Sequence, residues 1–137
     1  MGTIAVTRRK SPNEISRSVI DAAMKVHSAL GAGLLESTYE ACLVHELRKS
    51  NLTVQAQMGL PVIYDGLKLD VGYRVDLLVE DLVIVELKSI EALNEVHTAQ
   101  VLSYLKLSGK SLALLINFNV LHLKDGIRRF VMGQGWK

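Results

Sequence analysis

A single cysteine, Cys42, stands among the 137 residues. No internal disulfide can form, and nothing points to an oxidising compartment. The residues around it follow a helical pattern, which makes Cys42 a small core filler rather than a nucleophile. Aromatic residues are scarce at 5%, which argues against a stacking platform for single-stranded nucleic acid. No run approaches the ~18 apolar residues of a membrane span. The N-terminus has no apolar stretch of signal-peptide length, and Val6 stands where a myristoylation signal after Met1-Gly2 needs Ser or Thr. The expectation is an intracellular, cytoplasmic protein with no membrane partner. An excess of one charge is also lacking. Sixteen basic against fourteen acidic residues give a net charge of +2, too weak to announce a nucleic-acid binder, although only the charge near a phosphate would matter.

What is abundant is apolar material, 49% of the chain. The length suits one domain with a full core, and the apolar excess leaves surface for a partner, hence an expected homodimer or a larger protein partner. Residues 1–11 end in Arg8-Arg9-Lys10-Ser11 without periodicity and read as a flexible basic tail before a single domain at 12–137. Pro12 opens a helical stripe of Ile15, Val19, Ala22, Ala23, Val26 and Leu30, stopped by Gly31-Ala32-Gly33. A second helix is predicted over residues 34–50, with Leu35, Tyr39, Leu43 and Leu47 on one face. β patterns follow at 53–57 and 60–64, and Asp65-Gly66 marks a hairpin returning through Leu67, Leu69 and Val71. Strands at 73–79 and 83–88, a helix at 94–108, and strands at 111–118 and 127–132 complete the order α-α-β-β-β-β-α-β-β. The fold class is therefore α/β (α+β), a mixed central sheet flanked by helices.

The chemistry concentrates in two of these strands. Side chains alternate along a strand, so Glu86 and Lys88 share a face while Val83, Val85 and Leu87 take the other. A three-residue loop at Glu80-Asp81-Leu82 pairs Val79 with Val83 and sets Asp76 directly opposite Glu86, with Cβ atoms ~5 Å apart. A bulge at the turn would shift the register by one and separate the two acids onto opposite faces; the first register is taken because it keeps Asp76 and Glu86 together. Facing carboxylates repel, and a divalent cation, Mg²⁺ or Mn²⁺, removes the objection. Mg²⁺ takes one or two carboxylates and completes its shell with water and phosphate oxygens. The Leu87 carbonyl is a further candidate ligand, and Lys88 is placed to hold an attacking water and offset phosphate charge. The competing account is an ordinary Glu86–Lys88 surface pair or a cross-strand salt bridge. Against it, Val83-Ile84-Val85 is apolar throughout, as in a strand buried on both faces, and charge at its end is costly unless paired or functional. Gln100 and Tyr104 lie four apart on the following helix, with His97 a turn earlier. They are candidates to orient a phosphate or brace Lys88, though singly each is more often a solvated or satisfied residue, His97 most of all.

Asp76, then Glu86-Leu87-Lys88, then Gln100-x-x-x-Tyr104 resembles the PD-(D/E)xK nuclease superfamily, especially its RecB-like branch. Gly33-Leu34-Leu35-Glu36-Ser37-Thr38-Tyr39 is similar to the signature of the GxxExxY proteins. That likeness runs on through Tyr64-Asp65-Gly66, Val75-Asp76-Leu77-Leu78-Val79, Val85-Glu86-Leu87-Lys88, Gln100-Val101-Leu102-Ser103-Tyr104-Leu105 and Leu115-Ile116-Asn117-Phe118, over roughly residues 14–132. Val75 stands where the superfamily's name motif has proline. The resemblance implies a restriction-endonuclease-like α-β-β-β-α-β core and Mg²⁺-dependent phosphodiester hydrolysis. It also turns Glu36, which by itself reads as a solvated acid at a helix N-terminus, into an additional catalytic acid.

Three functions compete on this reading. The first is a nuclease acting on DNA or RNA, with Asp76 and Glu86 as metal ligands, Lys88 at the water, Glu36 assisting, and Gln100 and Tyr104 orienting substrate. The second is a non-catalytic nucleic-acid-binding or regulatory module on the same fold. The third is an interaction subunit docking its apolar excess on a larger protein. Retention of both acids with the lysine favours the first, because binding a polyanion is easier without carboxylates.

Overall fold

The computed structural model describes residues 10–133. The first helix, α1 (Pro12–Leu30), starts where a capping box satisfies its free N–H groups: Ser11 Oγ accepts from Glu14 N, and the Glu14 carboxylate accepts from Ser11 N. Ser11, expected at the end of a tail, is thus the N-cap of α1; the tail expectation for Arg8 and Arg9 falls on residues 1–9, outside those described. Helix α1 buries Ile15, Val19, Ala23 and Val26, the stripe read from the sequence except at its end, where Leu30 is exposed. Helix α2 (Glu36–Lys49) buries Tyr39, Leu43 and Leu47. Leu35 departs from its expected place on that face. It is the extended N-cap residue, its side chain is out of helical phase, and it is 74% exposed.

Strands β1 (Val54–Gly59), β2 (Val62–Tyr64), β3 (Leu67–Leu69), β4 (Arg74–Val79) and β5 (Val83–Lys88) follow, then α3 (Glu95–Ser108), β6 (Leu112–Asn117), a single 3-10 turn and β7 (Ile127–Val131). Five strands precede α3, matching the five β patterns read in the sequence although the predicted order counted four; the run expected at 60–64 is a strand only from Val62, with Leu60-Pro61 between β1 and β2. Proline has no N–H for a ladder and commonly marks such a break. The β2–β3 hairpin turns at Asp65-Gly66, both left-handed as a two-residue connection of this kind requires, and forms a separate ribbon.

The main sheet has the order β1-β4-β5-β6-β7. Only β5 and β6 run parallel, joined through α3; the other neighbours are antiparallel. With the ribbon set aside, α2-β1-β4-β5-α3-β6 has the α-β-β-β-α-β order of a restriction-endonuclease-like core. One face of the sheet presents Leu77, Val79, Val83, Val85, Leu87, Leu112, Leu114 and Ile116 to α1 and α2. The other packs Val75, Leu78, Ile84, Ala113 and Leu115 against Val101, Tyr104 and Leu105 of α3. With layers on both faces, β5 is buried from Val83 to Leu87, which explains its unbroken apolar run. Cys42 is half-buried beside the first of these cores. Among the described residues no helix is long and apolar enough to cross a membrane.

Candidate active site

The β4–β5 hairpin decides where the two acids stand. Its turn puts Glu80 and Asp81 in left-handed conformation, and the register runs Val79↔Val83, Leu78↔Ile84, Leu77↔Val85. This is the three-residue-loop register, and the one-residue slip does not occur. The next step sets Asp76 against Glu86, and there the ladder gives way to side chains. Asp76 N–H donates to Glu86 Oε2 at 2.7 Å, and Leu87 N–H donates to Asp76 Oδ2 at 2.8 Å. Each carboxylate reaches into the opening between the strands and is held by the backbone of the opposite strand. Because N–H and C=O of one strand residue point to the same neighbour, the Leu87 carbonyl also lies on the β4 side.

Glu86 is 4% exposed. Burial, and then the negative charge of Asp76, push its carboxyl up to about 8; the hydrogen bond from Asp76 N–H and the charge of Lys88 pull the other way. Near neutral pH Glu86 therefore carries a proton unless a cation replaces it. Lys88 is half-buried and makes no ion pair within 4 Å among the described residues, so neither a Glu86–Lys88 pair nor a cross-strand salt bridge accounts for it. Its backbone is fixed on both sides. Phe118 N–H donates to the Lys88 carbonyl at 2.9 Å, and the buried Asn117 side chain both accepts from Ile90 N–H and donates to the Ile90 carbonyl.

The seven residues from Gly33 to Tyr39 deliver Glu36 to the same place. Gly33 has φ +95, open to glycine and strained for other residues. Tyr39 is wholly buried and stacked on Phe118 at 4.5 Å. Its hydroxyl donates to the Gly31 carbonyl and accepts from Leu34 N–H, closing the loop like a clasp. Ser89 Oγ donates to the Leu34 carbonyl at 2.6 Å, tying that loop to the end of β5. Glu36 is the first residue of α2; its carboxyl is raised by partial desolvation and by the charge of Asp76, and lowered by Lys88. It shares the field of the acid pair without touching it.

On the other face, Tyr104 is 7% exposed and stands at a tilt to Tyr73, ring centres 6.4 Å apart. Burial and then the charges of Glu86 and Asp76 raise its hydroxyl. Gln100 is half-buried, and its side chain hydrogen-bonds no described residue; neither it nor Tyr104 bonds to Lys88. His97 serves the helix instead: its Nδ1 accepts from Asn94 N–H, completing the capping box of α3.

Two residues that the sequence reading passed over line the site. Glu40 lies one turn after Glu36 on α2, a spacing that signals a shared face, and burial first, then Asp76, raises its carboxyl. Gln57 Nε2 donates to Glu40 Oε1 at 2.7 Å and to Asp76 Oδ1 at 3.3 Å. No local pattern marks it, since its place depends on how β1 pairs with β4. Among the described residues no three His, Cys, Asp or Glu side chains converge as a ready-made metal cage. The donor set fits a hard cation that takes two carboxylates and leaves the rest of its shell to water and phosphate.

A family model described as the PD-(D/E)XK nuclease superfamily matches residues 13–130. No curated protein and no solved structure matches the chain.

Proposed function

The chain belongs to the PD-(D/E)XK nuclease superfamily, and on that premise we propose that it hydrolyses phosphodiester bonds of DNA or RNA with Mg²⁺ or Mn²⁺ at Asp76 and Glu86. The observation that carries this is the reciprocal grip of the two carboxylates at the opened end of β4–β5. Two facing acids, one of them buried to 4% exposure, cost the fold desolvation and repulsion whenever both ionise, and a bound cation would offset that cost. Asp76 and Glu86 hold it, with the Leu87 carbonyl as a third oxygen. When bound, the cation supplies charge stabilisation at the phosphate. Lys88, fixed in backbone and without an ion-pair partner among the described residues, orients the attacking water and offsets charge on the phosphate. Glu36 is an additional acid, and Gln100 and Tyr104 orient the substrate from α3. The clasp from Gly33 to Tyr39 supports placement among the GxxExxY proteins, and the Gln100–Tyr104 pair supports the RecB-like branch. We also assign residues 12–137 to one nuclease-like domain that acts in the cytoplasm. Its exposed apolar side chains, Ile63 and Leu67 of the ribbon among them, support a homodimer.

The test uses purified protein with Mg²⁺ or Mn²⁺ and single- and double-stranded DNA and RNA. Cutting is expected, and chelation stops it. Lys88→Ala loses on the order of 10²–10³ in rate while keeping Mn²⁺ affinity, and Asp76→Ala loses both. A protein that binds Mn²⁺ and cuts none of these substrates would be a nucleic-acid-binding module instead.

A further inference from the structure

Gln57 occupies a peculiar backbone position. The pairs Ala56↔Leu77 and Met58↔Val75 bracket it opposite Asp76, yet those two residues do not pair themselves. Gln57 is left-handed, φ +54, a conformation that is sterically costly for a side chain with a Cβ and without the local bonding of Asn or Asp. Both strands turn over here. Val54 and Leu77 pack in the core under α1 and α2, whereas Met58 and Val75 pack in the core under α3. Strict alternation would put Val54 with Met58 and Val75 with Leu77. The Gln57 carbonyl accepts from Arg74 Nη1 at 3.3 Å, which helps hold the turned-over segment.

Turning a strand over asks only for a left-handed residue, and glycine would meet that need without strain. The glutamine adds an amide, and the left-handed backbone aims it at the site. Nε2 anchors on Glu40 Oε1 and donates to Asp76 Oδ1, while Leu87 N–H holds Oδ2. Both oxygens of one carboxylate are thereby oriented, one from β5 and one from β1. We infer that Gln57 is the positioning residue for Asp76, setting the outer carboxylate oxygen that a divalent cation meets. This rests on the proposed role of Asp76 as a cation ligand.

Gln57→Gly separates the two tasks, since glycine accepts the left-handed backbone and has no amide. Without metal, its thermal midpoint should equal or exceed that of the wild type. Its Kd for Mn²⁺, measured by calorimetry, should rise about 10–100-fold, the usual cost of losing a hydrogen bond that orients a metal-binding group. Gln57→Met keeps the length and the backbone strain and removes only the donor, so it should weaken Mn²⁺ to the same degree; it decides the matter if the glycine variant folds poorly. Mn²⁺ binding unchanged or tighter in a folded variant would overturn the inference and leave Gln57 as a shaper of the strand alone. A wild-type protein that binds no Mn²⁺ removes the cation role of Asp76 and this inference with it.

Discussion

The two ends of the β4–β5 hairpin are about six residues apart in the chain and obey different physics. At the turn, Leu77, Leu78 and Val79 face Val85, Ile84 and Val83 in an unbroken ladder, every side chain buried or nearly so. At the far end the ladder is replaced by bonds from backbone N–H to the carboxylates of Asp76 and Glu86. Each end has a glutamate, and the two are tuned in opposite directions. Glu80 accepts from the Thr53 hydroxyl and N–H, bonds that hold its carboxyl below the ordinary value. Glu86 is desolvated beside another acid and is raised to about 8. Charge at the turn serves the fold, whereas charge at the opened end is tolerated by the fold and available to a ligand.

Substitutions at the turn end should therefore cost stability and spare chemistry. Ile84 is fully buried on the α3 side, and Ile84→Ala should cost about 2–5 kcal/mol in denaturant unfolding. Mn²⁺ affinity of the folded fraction should stay unchanged; a large loss there would dissolve the distinction between the ends.

At the opened end the opposite sign is expected. The folded carboxyl of Glu86 holds its proton more tightly than the unfolded one, at about 8 against 4.5. Its contribution to stability is fully present below about 4.5 and is lost as pH rises through 8. Unfolding of the metal-free protein should show stability falling over that window. Glu86→Gln should flatten the slope and stabilise the metal-free fold at pH 8 by on the order of a few kcal/mol. A variant less stable than wild type at that pH would mean the carboxylate is a structural partner and not a latent ligand.

The smallest effect belongs to Glu80. Its lowered carboxyl contributes stability above the unfolded value that is lost as pH falls through the folded one. Glu80→Ala should cost about 1 kcal/mol at pH 7, a typical net hydrogen-bond contribution, and should blunt the acid limb of the pH–stability curve. The two glutamates would then mark opposite limbs of one profile, readable in a single set of melts with both variants.

Much of this was legible before any coordinates. The buried run of β5 and the register across Glu80-Asp81-Leu82 depend on periodicity and loop length within about ten residues, and the structure agrees with each; the α1 stripe holds from Ile15 to Val26 and fails at Leu30, exposed at the helix end. Local patterns were misleading where a boundary moved a side chain out of phase. Leu35, read as part of the helix face, caps the helix in the open, and the apolar run read at 60–64 is a strand only from Val62. His97, read chiefly as a solvated or satisfied residue, is a satisfied one: it accepts from the N–H of Asn94.

The amino-acid order by itself determined which side chains alternate and where α1 begins, because these follow from short-range geometry, and it narrowed the β4–β5 register to two alternatives, of which the structure has the one that sets Asp76 against Glu86. Only the tertiary structure decided that β1 lies beside β4, that both strands turn over at Gln57 and Asp76, and that Glu40 of α2 reaches the same amide. Those contacts join residues 17 and 19 positions apart. They are set by the packing of two cores on opposite faces of one sheet, which no local pattern of residues encodes.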